Sequence, residues 1–165
     1  MQTSLSQGLR KAAAQTFEEL AFMLPSEASD CPGQGPEATI AASTSFRGAF
    51  EGTLVVVICG NLLPVLSANM LGQDAPPDWD QQLDALREVS NVICGNMLPE
   101  LAGSDELFEI SPPLILQPDK AHSGPDRKPV AEVTMGLDGG RVELRLYLDT
   151  PMSAMELQDD QSPGR

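Results

Sequence analysis

The longest helical pattern in the chain, over residues 78–101, places the strongest constraint on the fold. Its apolar side chains recur at helical spacing and fall on one side, with one small polar residue among them. This predicted core face consists of Trp79, Leu83, Leu86, Ser90, Ile93 and Met97. The late Pro99 is expected to end or kink the helix. Such a face has to pack on other elements of the fold.

Shorter patterns on both sides of this helix predict those elements. They are a helix over 4–24 ended by Pro25, a loop over 25–37, strands over 38–46 and 50–59 joined near Arg47-Gly48, a short helix over 60–72, a linker over 73–78, an extended segment over 105–117 interrupted by Pro112-Pro113, a loop over 118–129 and a hairpin around 138–140. In the short helix, Asn61 is the expected N-cap and Gly72 the expected end.

These elements predict an α+β fold in which the long helices pack on an antiparallel sheet. We assign residues 1–150 to one domain and residues 151–165 to a disordered acidic tail. The chain is 41% hydrophobic but only 4% aromatic, so the expected core is aliphatic.

The charge balance restricts the partners of this domain. The chain has 24 acidic and 10 basic residues, which gives a formal net charge of -14. Nucleic acids and anionic membrane surfaces are therefore disfavoured as partners. No apolar run approaches the roughly 18 residues of a membrane-spanning helix, and no signal peptide is recognised at the N-terminus. We expect a cytoplasmic protein.

Few residues are suited to metal binding or nucleophilic catalysis. The three cysteines form no CxxC motif, and the only histidine is His122. Because Cys59 and Cys94 lie among apolar residues, we interpret them as buried reduced thiols. A metal site or a Cys-His pair is poorly supported.

Two similar segments raise the question of an internal repeat. VICGNLLP at 57–64 and VICGNMLP at 92–99 differ at one position. Their flanks do not match, because Thr53 falls at the position of Glu88 and Val56 at that of Asn91. The first segment leaves a predicted strand, whereas the second lies in the long helix. We therefore favour coincidence over a tandem repeat.

A polar stripe runs along the long helix, opposite its core face. It consists of Asp84, Glu88, Asn91 and Gly95. By pattern alone, Glu and Asn three residues apart are common on exposed helix surfaces. Gly95 costs about 1 kcal/mol against alanine within a helix. It could permit close approach of another protein's backbone, or equally a tight crossing within the fold.

The stripe resembles the signature of the CheC/CheX family of chemotaxis response-regulator phosphatases. That signature is Asp or Ser, three residues, Glu, two residues, Asn and a later proline, and Asp84, Glu88 and Asn91 match its spacing. Pro112 and Pro113 come slightly earlier than the family's proline. Other segments resemble the family as well, namely TFEELAFML, FRGAFEGTLVVVI, ANMLG, the Gly95-Asn96 pair and ISPP. The resemblance therefore covers residues 5–150.

The resemblance implies hydrolysis of the aspartyl phosphate of a CheY-like response regulator. Asn91 would orient the attacking water and Glu88 would pair with the regulator's active-site lysine, while Asp84 would be a docking or helix-surface residue. Gly95, from its place on the stripe, is a further candidate for contact with the partner. No cofactor is implied on this chain, because the regulator supplies Mg²⁺. The resemblance also allows a homodimer. Members with two sites carry a second Glu/Asn pair on the first helix.

On the first helix of this chain, Glu18 and Glu19 are followed by Ala21 and Phe22 at the asparagine positions. We therefore expect a CheX-like protein with one site. The main alternative is a module without catalytic activity that binds a response regulator or joins a flagellar or signalling assembly. A small-molecule binding domain is a third interpretation, supported only by the apolar core.

Overall fold

The structure, a computed structural model, describes residues 2–27, 37–121, 128–138 and 140–149. The predicted tail over 151–165 lies outside these residues, so the division into a domain and a tail stays a prediction.

Seven antiparallel strands form one sheet in the described part of the chain. They are β1 (Ser26–Glu27), β2 (Ala38–Arg47), β3 (Gly52–Cys59), β4 (Glu109–Ile110), β5 (Leu114–Leu116), β6 (Ala131–Leu137) and β7 (Gly140–Leu148). The order is β1-β6-β7-β3-β2-β4, and β5 also pairs with β2. The long strands β3 and β7 therefore lie at the centre. The predicted antiparallel sheet is confirmed.

The helices of the described residues are α1 (Gln2–Ala21), α2 (Leu62–Leu71), α3 (Trp79–Ala102) and the short α4 (Pro118–Ala121). The first three pack on the sheet face that carries Leu54, Val56 and Ile58 of β3, which forms the main core. The alternate residues of β3 contribute to a smaller apolar cluster. The structure is therefore of the α+β class, as predicted.

The core face of α3 is confirmed except at its start. Leu86, Ser90, Ile93 and Met97 are fully buried. Trp79, predicted for this face, is 54% exposed. The buried residues of α3 begin only at Ala85, so the first turn extends beyond the packed part of the helix.

Pro99 does not end α3, which continues to Ala102. Proline removes one backbone donor but leaves its carbonyl free to accept. The N–H of Gly103 donates to the Pro99 carbonyl at 2.9 Å, so the helical bonding continues beyond the proline.

The first helix ends at Ala21, earlier than the predicted residue 24. Phe22 adopts a left-handed conformation with φ 55°, and the N–H of Met23 donates to the carbonyl of Phe17 at 3.1 Å. This arrangement closes a helix. Leu24, the last residue of the predicted helix, consequently lies beyond α1 and is 78% exposed.

Two short elements lie in segments that were predicted as loops. β1 lies within the loop predicted over 25–37 and pairs with β6 by backbone hydrogen bonds. The four-residue helix α4 lies within the loop predicted over 118–129. Neither element is long enough to produce a hydrophobic period, which explains why pattern analysis missed them.

The ends of α2 follow the prediction in part. Asn61 occupies the N-cap position but makes no capping hydrogen bond through its side chain. Gly72 ends the helix in a left-handed conformation with φ 65°, as expected for a glycine at this position.

Candidate functional site

The candidate site is built on α3, the longest helix of the described residues. Its start is fixed by Asp78, whose side chain accepts a hydrogen bond of 2.8 Å from the N–H of Gln81. Burial of the opposite face then sets the rotation of the helix against the sheet. The polar stripe, Asp84, Glu88, Asn91 and Gly95, is exposed along its whole length.

A groove runs beside the stripe and brings the predicted residues together. We call it the proline groove; it is lined by Asp84, Arg87, Glu88, Asn91, Ile110, Pro112 and Pro113 and has a volume of about 480 Å³. The two prolines lie between β4 and β5, at the edge of the sheet. Although these prolines come slightly earlier than the proline of the family signature, they line the same groove as Glu88 and Asn91.

Arg87, which was not among the predicted site residues, also lines this groove. Its Nη1 lies 2.7 Å from Oδ1 of Asp84; the Asp84 side chain is exposed and that of Arg87 is half-buried. The spacing of three residues between opposite charges is a signal that could have indicated this pair. Such a solvent-accessible pair adds little to stability. The Asp84–Arg87 pair does place one negative and one positive group next to Glu88, at the N-terminal end of the stripe.

Gly95 is not needed for a tight crossing among the described residues. The nearest atom to a Cβ added at Gly95 would be Cδ1 of Ile110, at 4.0 Å. That alternative is therefore wrong within the described structure. In addition, Pro99 has no N–H to donate to the carbonyl of Gly95 four residues before it. The missing side chain at Gly95 thus leaves space beside the helix at the end of the stripe.

The neighbouring Asn96 has a contact within the fold. Its Nδ2 donates to Oγ1 of Thr16 on α1 at 3.1 Å, and that hydroxyl donates to the Ala12 carbonyl at 2.7 Å. Asn96 therefore ties α3 to α1 and does not belong to the exposed stripe.

The corresponding positions on α1 do not form a second site. Glu18 and Glu19 are exposed, but the two asparagine positions hold a fully buried residue, Ala21, and a residue beyond the helix, Phe22. The described part of α1 therefore lacks the Glu/Asn pair of the two-site pattern.

The two described cysteines are buried free thiols, as expected. Burial raises the pKa of Cys94 to about 12. Burial also raises the pKa of Cys59, with Glu143 adding to the effect and Arg141 opposing it. Because the thiolate is the nucleophile, neither side chain is suited to attack a substrate near neutral pH.

In the described ranges, no three His, Cys, Asp or Glu side chains are grouped so that they could hold a metal ion. Within the same ranges, no helix is long and apolar enough to cross a membrane.

Comparison with known proteins identifies the family. Residues 40–136 match the family model described as "Chemotaxis phosphatase CheX". No curated protein matches the chain by sequence.

Solved structures share the fold at low sequence identity. A CheX-CheY-BeF3-Mg complex from Borrelia burgdorferi aligns with a TM-score of 0.65 and 15% identity, over 87% of this chain and 97% of that one. CheX from Desulfovibrio desulfuricans gives a TM-score of 0.66 and 18% identity, over 88% of this chain and 99% of that one. FliY from Thermotoga maritima gives a TM-score of 0.55 and 18% identity, over 93% of this chain and 88% of that one.

The family model covers more than half of the chain, and the solved CheX structures share its helices and antiparallel sheet. The chain belongs to the CheX family of chemotaxis phosphatases.

Proposed function

We propose that this protein hydrolyses the aspartyl phosphate of a CheY-like response regulator, in chemotaxis or a related two-component pathway in the cytoplasm. The observation that carries the proposal is the placement of Glu88 and Asn91, one turn apart and exposed on α3, in the groove that Pro112 and Pro113 complete. Family membership supports the reaction class. The CheX-CheY-BeF3-Mg complex supports a CheY-like partner.

The reaction needs little chemistry from this chain. An acyl phosphate is already reactive, so hydrolysis mainly requires a water held in line with the phosphorus. The water's oxygen forms a bond to phosphorus while the bond to the aspartyl oxygen breaks. The products are inorganic phosphate and a free aspartate.

Asn91 is suited to holding that water. A carboxamide can both accept from and donate to it, as the glutamine of GTPases does. The role requires no shifted pKa, since the amide does not take the water's proton. An exposed side chain on a rigid helix can reach into a partner's active site without rearrangement of this fold.

Glu88 is suited to docking. Its carboxylate lies three residues before Asn91, so an ion pair with the regulator's active-site lysine would fix the helix and the amide together. Asp84 and Gly95 would extend the contact, the first through its polar side chain and the second through the space that its missing side chain leaves. Mg²⁺ would be held by the regulator, together with the phosphoryl group, as part of the substrate.

Phosphate release from a panel of phosphorylated regulators of the same genome tests this proposal. At least one regulator should lose phosphate faster with the wild-type protein. A beryllofluoride complex, which mimics the phosphorylated regulator, should also bind more tightly than the free regulator. Equal affinity for both states and no accelerated release would contradict the proposal.

The alternative is a module that binds a regulator without hydrolysing it or joins a flagellar or signalling assembly. The intact Glu88 and Asn91, exposed at the spacing of the phosphatase signature, favour the enzyme. Tight binding of the beryllofluoride complex without phosphate release from any regulator would favour the module.

A further inference from the structure

A second groove lies beside Asp84 and Glu88, on the side of these two residues that faces away from Asn91. We call it the apolar groove; it is lined by Leu20, Met70, Leu71, Gln81, Asp84, Ala85 and Glu88 and has a volume of about 440 Å³. Three helices build it, with α1 and α2 forming one wall and α3 the other. Asp84 and Glu88 line both grooves, so they form the ridge between them.

The wall formed by α1 and α2 is held in place by the ends of both helices. Nδ2 of Asn69 donates to the carbonyl of Ala21 at 3.0 Å and so joins α2 to the end of α1. The N–H of Gln73 donates to the carbonyl of Ala68 at 2.9 Å and closes α2 directly behind the groove. The groove is thus preformed, which lowers the cost of binding.

Leu71 contributes an apolar surface to the groove that is not buried in the core. It is the last residue of α2 and is 47% exposed, while Leu20 and Met70 beside it are partly buried against the core. Together with Leu20 and Met70, the exposed part of Leu71 forms an apolar wall beside the candidate docking residue Glu88. The two charged groups on its rim, Asp84 and Glu88, are both acidic.

We propose that the apolar groove receives an apolar side chain of the regulator, one that lies next to the lysine engaged by Glu88. The inference rests on the proposed function, because continuity with the Glu88 contact identifies the occupant. The rim suits a surface on which an apolar residue adjoins a basic one. Contacts in this groove would supply affinity and choice of regulator, whereas Asn91 in the proline groove supplies the rate.

Leu71→Gln tests the groove, with Val65→Gln as the matched control. Both substitutions replace an exposed aliphatic residue of α2 by the same uncharged polar one, and Val65 does not line the groove. Affinity for the beryllofluoride-bound regulator is measured by calorimetry at fixed salt. Leu71→Gln should weaken binding about 5- to 10-fold, as expected for an apolar contact at an interface.

The kinetic readout separates this inference from the proposed function. Leu71→Gln should raise the KM for phosphate release and leave kcat unchanged, and Val65→Gln should change neither. Wild-type binding without phosphate release would contradict catalysis while leaving the affinity comparison intact. Equal affinities of wild type and Leu71→Gln would overturn the inference alone, and absence of any regulator binding would overturn both.

Light scattering identifies a competing occupant. If the wild type is a dimer that Leu71→Gln, but not Val65→Gln, converts to a monomer, a second copy of the chain fills the groove and the inference is wrong. An unchanged oligomeric state together with weaker regulator binding supports it.

Discussion

The helices α1 and α3 pack against each other on the same face of the sheet and run in opposite directions. Three contacts show this arrangement, because residue numbers rise along α1 while they fall along α3. Gly8 faces Leu101, Nζ of Lys11 lies 2.9 Å from Oε1 of Glu100, and Thr16 accepts a hydrogen bond from Asn96. Both helices expose carboxylates, yet of the two only α3 presents a Glu and an Asn three residues apart on one face.

The two helices differ in the residues at the asparagine positions and in where each helix ends. The stripe on α3 lies well inside a helix that runs from Trp79 to Ala102, so its spacing is preserved on one face. On α1 the equivalent positions reach the last turn, where Ala21 is buried and Phe22 has left the helix. An exposed Glu/Asn pair separated by three residues requires the helix to continue on the correct face, in addition to the right residue types.

The largest effect is expected from Asn91→Ala on α3. The side chain is exposed and alanine favours helix, so the fold should be retained. The rate of phosphate release should fall about 100-fold, the scale associated with lost positioning. Affinity for the beryllofluoride complex should change little. Near-normal release by a folded variant would remove Asn91 from the proposed mechanism.

A smaller effect is expected when the two helices are compared by Glu88→Ala and Glu18→Ala. Both variants remove one exposed carboxylate, so the net charge changes equally. Glu88→Ala should weaken binding of the beryllofluoride complex about 10-fold, equivalent to about 1.4 kcal/mol, because the regulator's lysine loses its partner. Glu18→Ala should bind as the wild type does at the same ionic strength. Equal losses would mean that general charge, and not docking by Glu88, controls affinity.

The sequence was sufficient for the parts of the structure that depend on long, regular patterns. α3 combines a long apolar period with an N-cap at Asp78, and the polar stripe follows from the same helical geometry. The sheet was predictable because β3 is rich in β-branched apolar residues and because β6 and β7 alternate around a turn signal. The position of Glu88 and Asn91 on one exposed face could therefore be predicted, whereas their roles stay proposals.

The remaining features depend on contacts between distant segments. The end of α1 is reinforced by Asn69, which lies 48 residues after the Ala21 carbonyl that it binds. By contrast, the flanks of the similar segments at 57–64 and 92–99 already predicted their different structures, and the first indeed passes from β3 into α2 while the second lies within α3. The apolar groove was missed because its walls come from three helices. The hydrophobic period of one segment does not predict a surface that three separate helices form together.

The glycines of the two helices offer a further comparison, with effects near 1 kcal/mol. Gly95→Ala should stabilise the protein by up to about 1 kcal/mol in urea unfolding, because the added Cβ meets nothing closer than 4.0 Å and alanine favours helix. Gly8→Ala should gain less, since its Cβ would lie 3.2 Å from Cδ2 of Leu101. If the regulator approaches the backbone at Gly95, Gly95→Ala should also weaken binding. Unchanged affinity in the stabilised variant would exclude that contact.

The smallest effect is expected from an attempt to restore a site on α1. Phe22→Asn places an asparagine three residues after Glu19 in the sequence, but position 22 lies beyond the helix in a left-handed conformation. Asparagine tolerates this conformation, and the Phe22 side chain is 80% exposed, so stability should be nearly unchanged. Introduced together with Asn91→Ala, the substitution should restore no phosphate release. Recovery of activity would show that the end of α1 can refold around a bound regulator, and the contrast between the two helices would then rest on residue type alone.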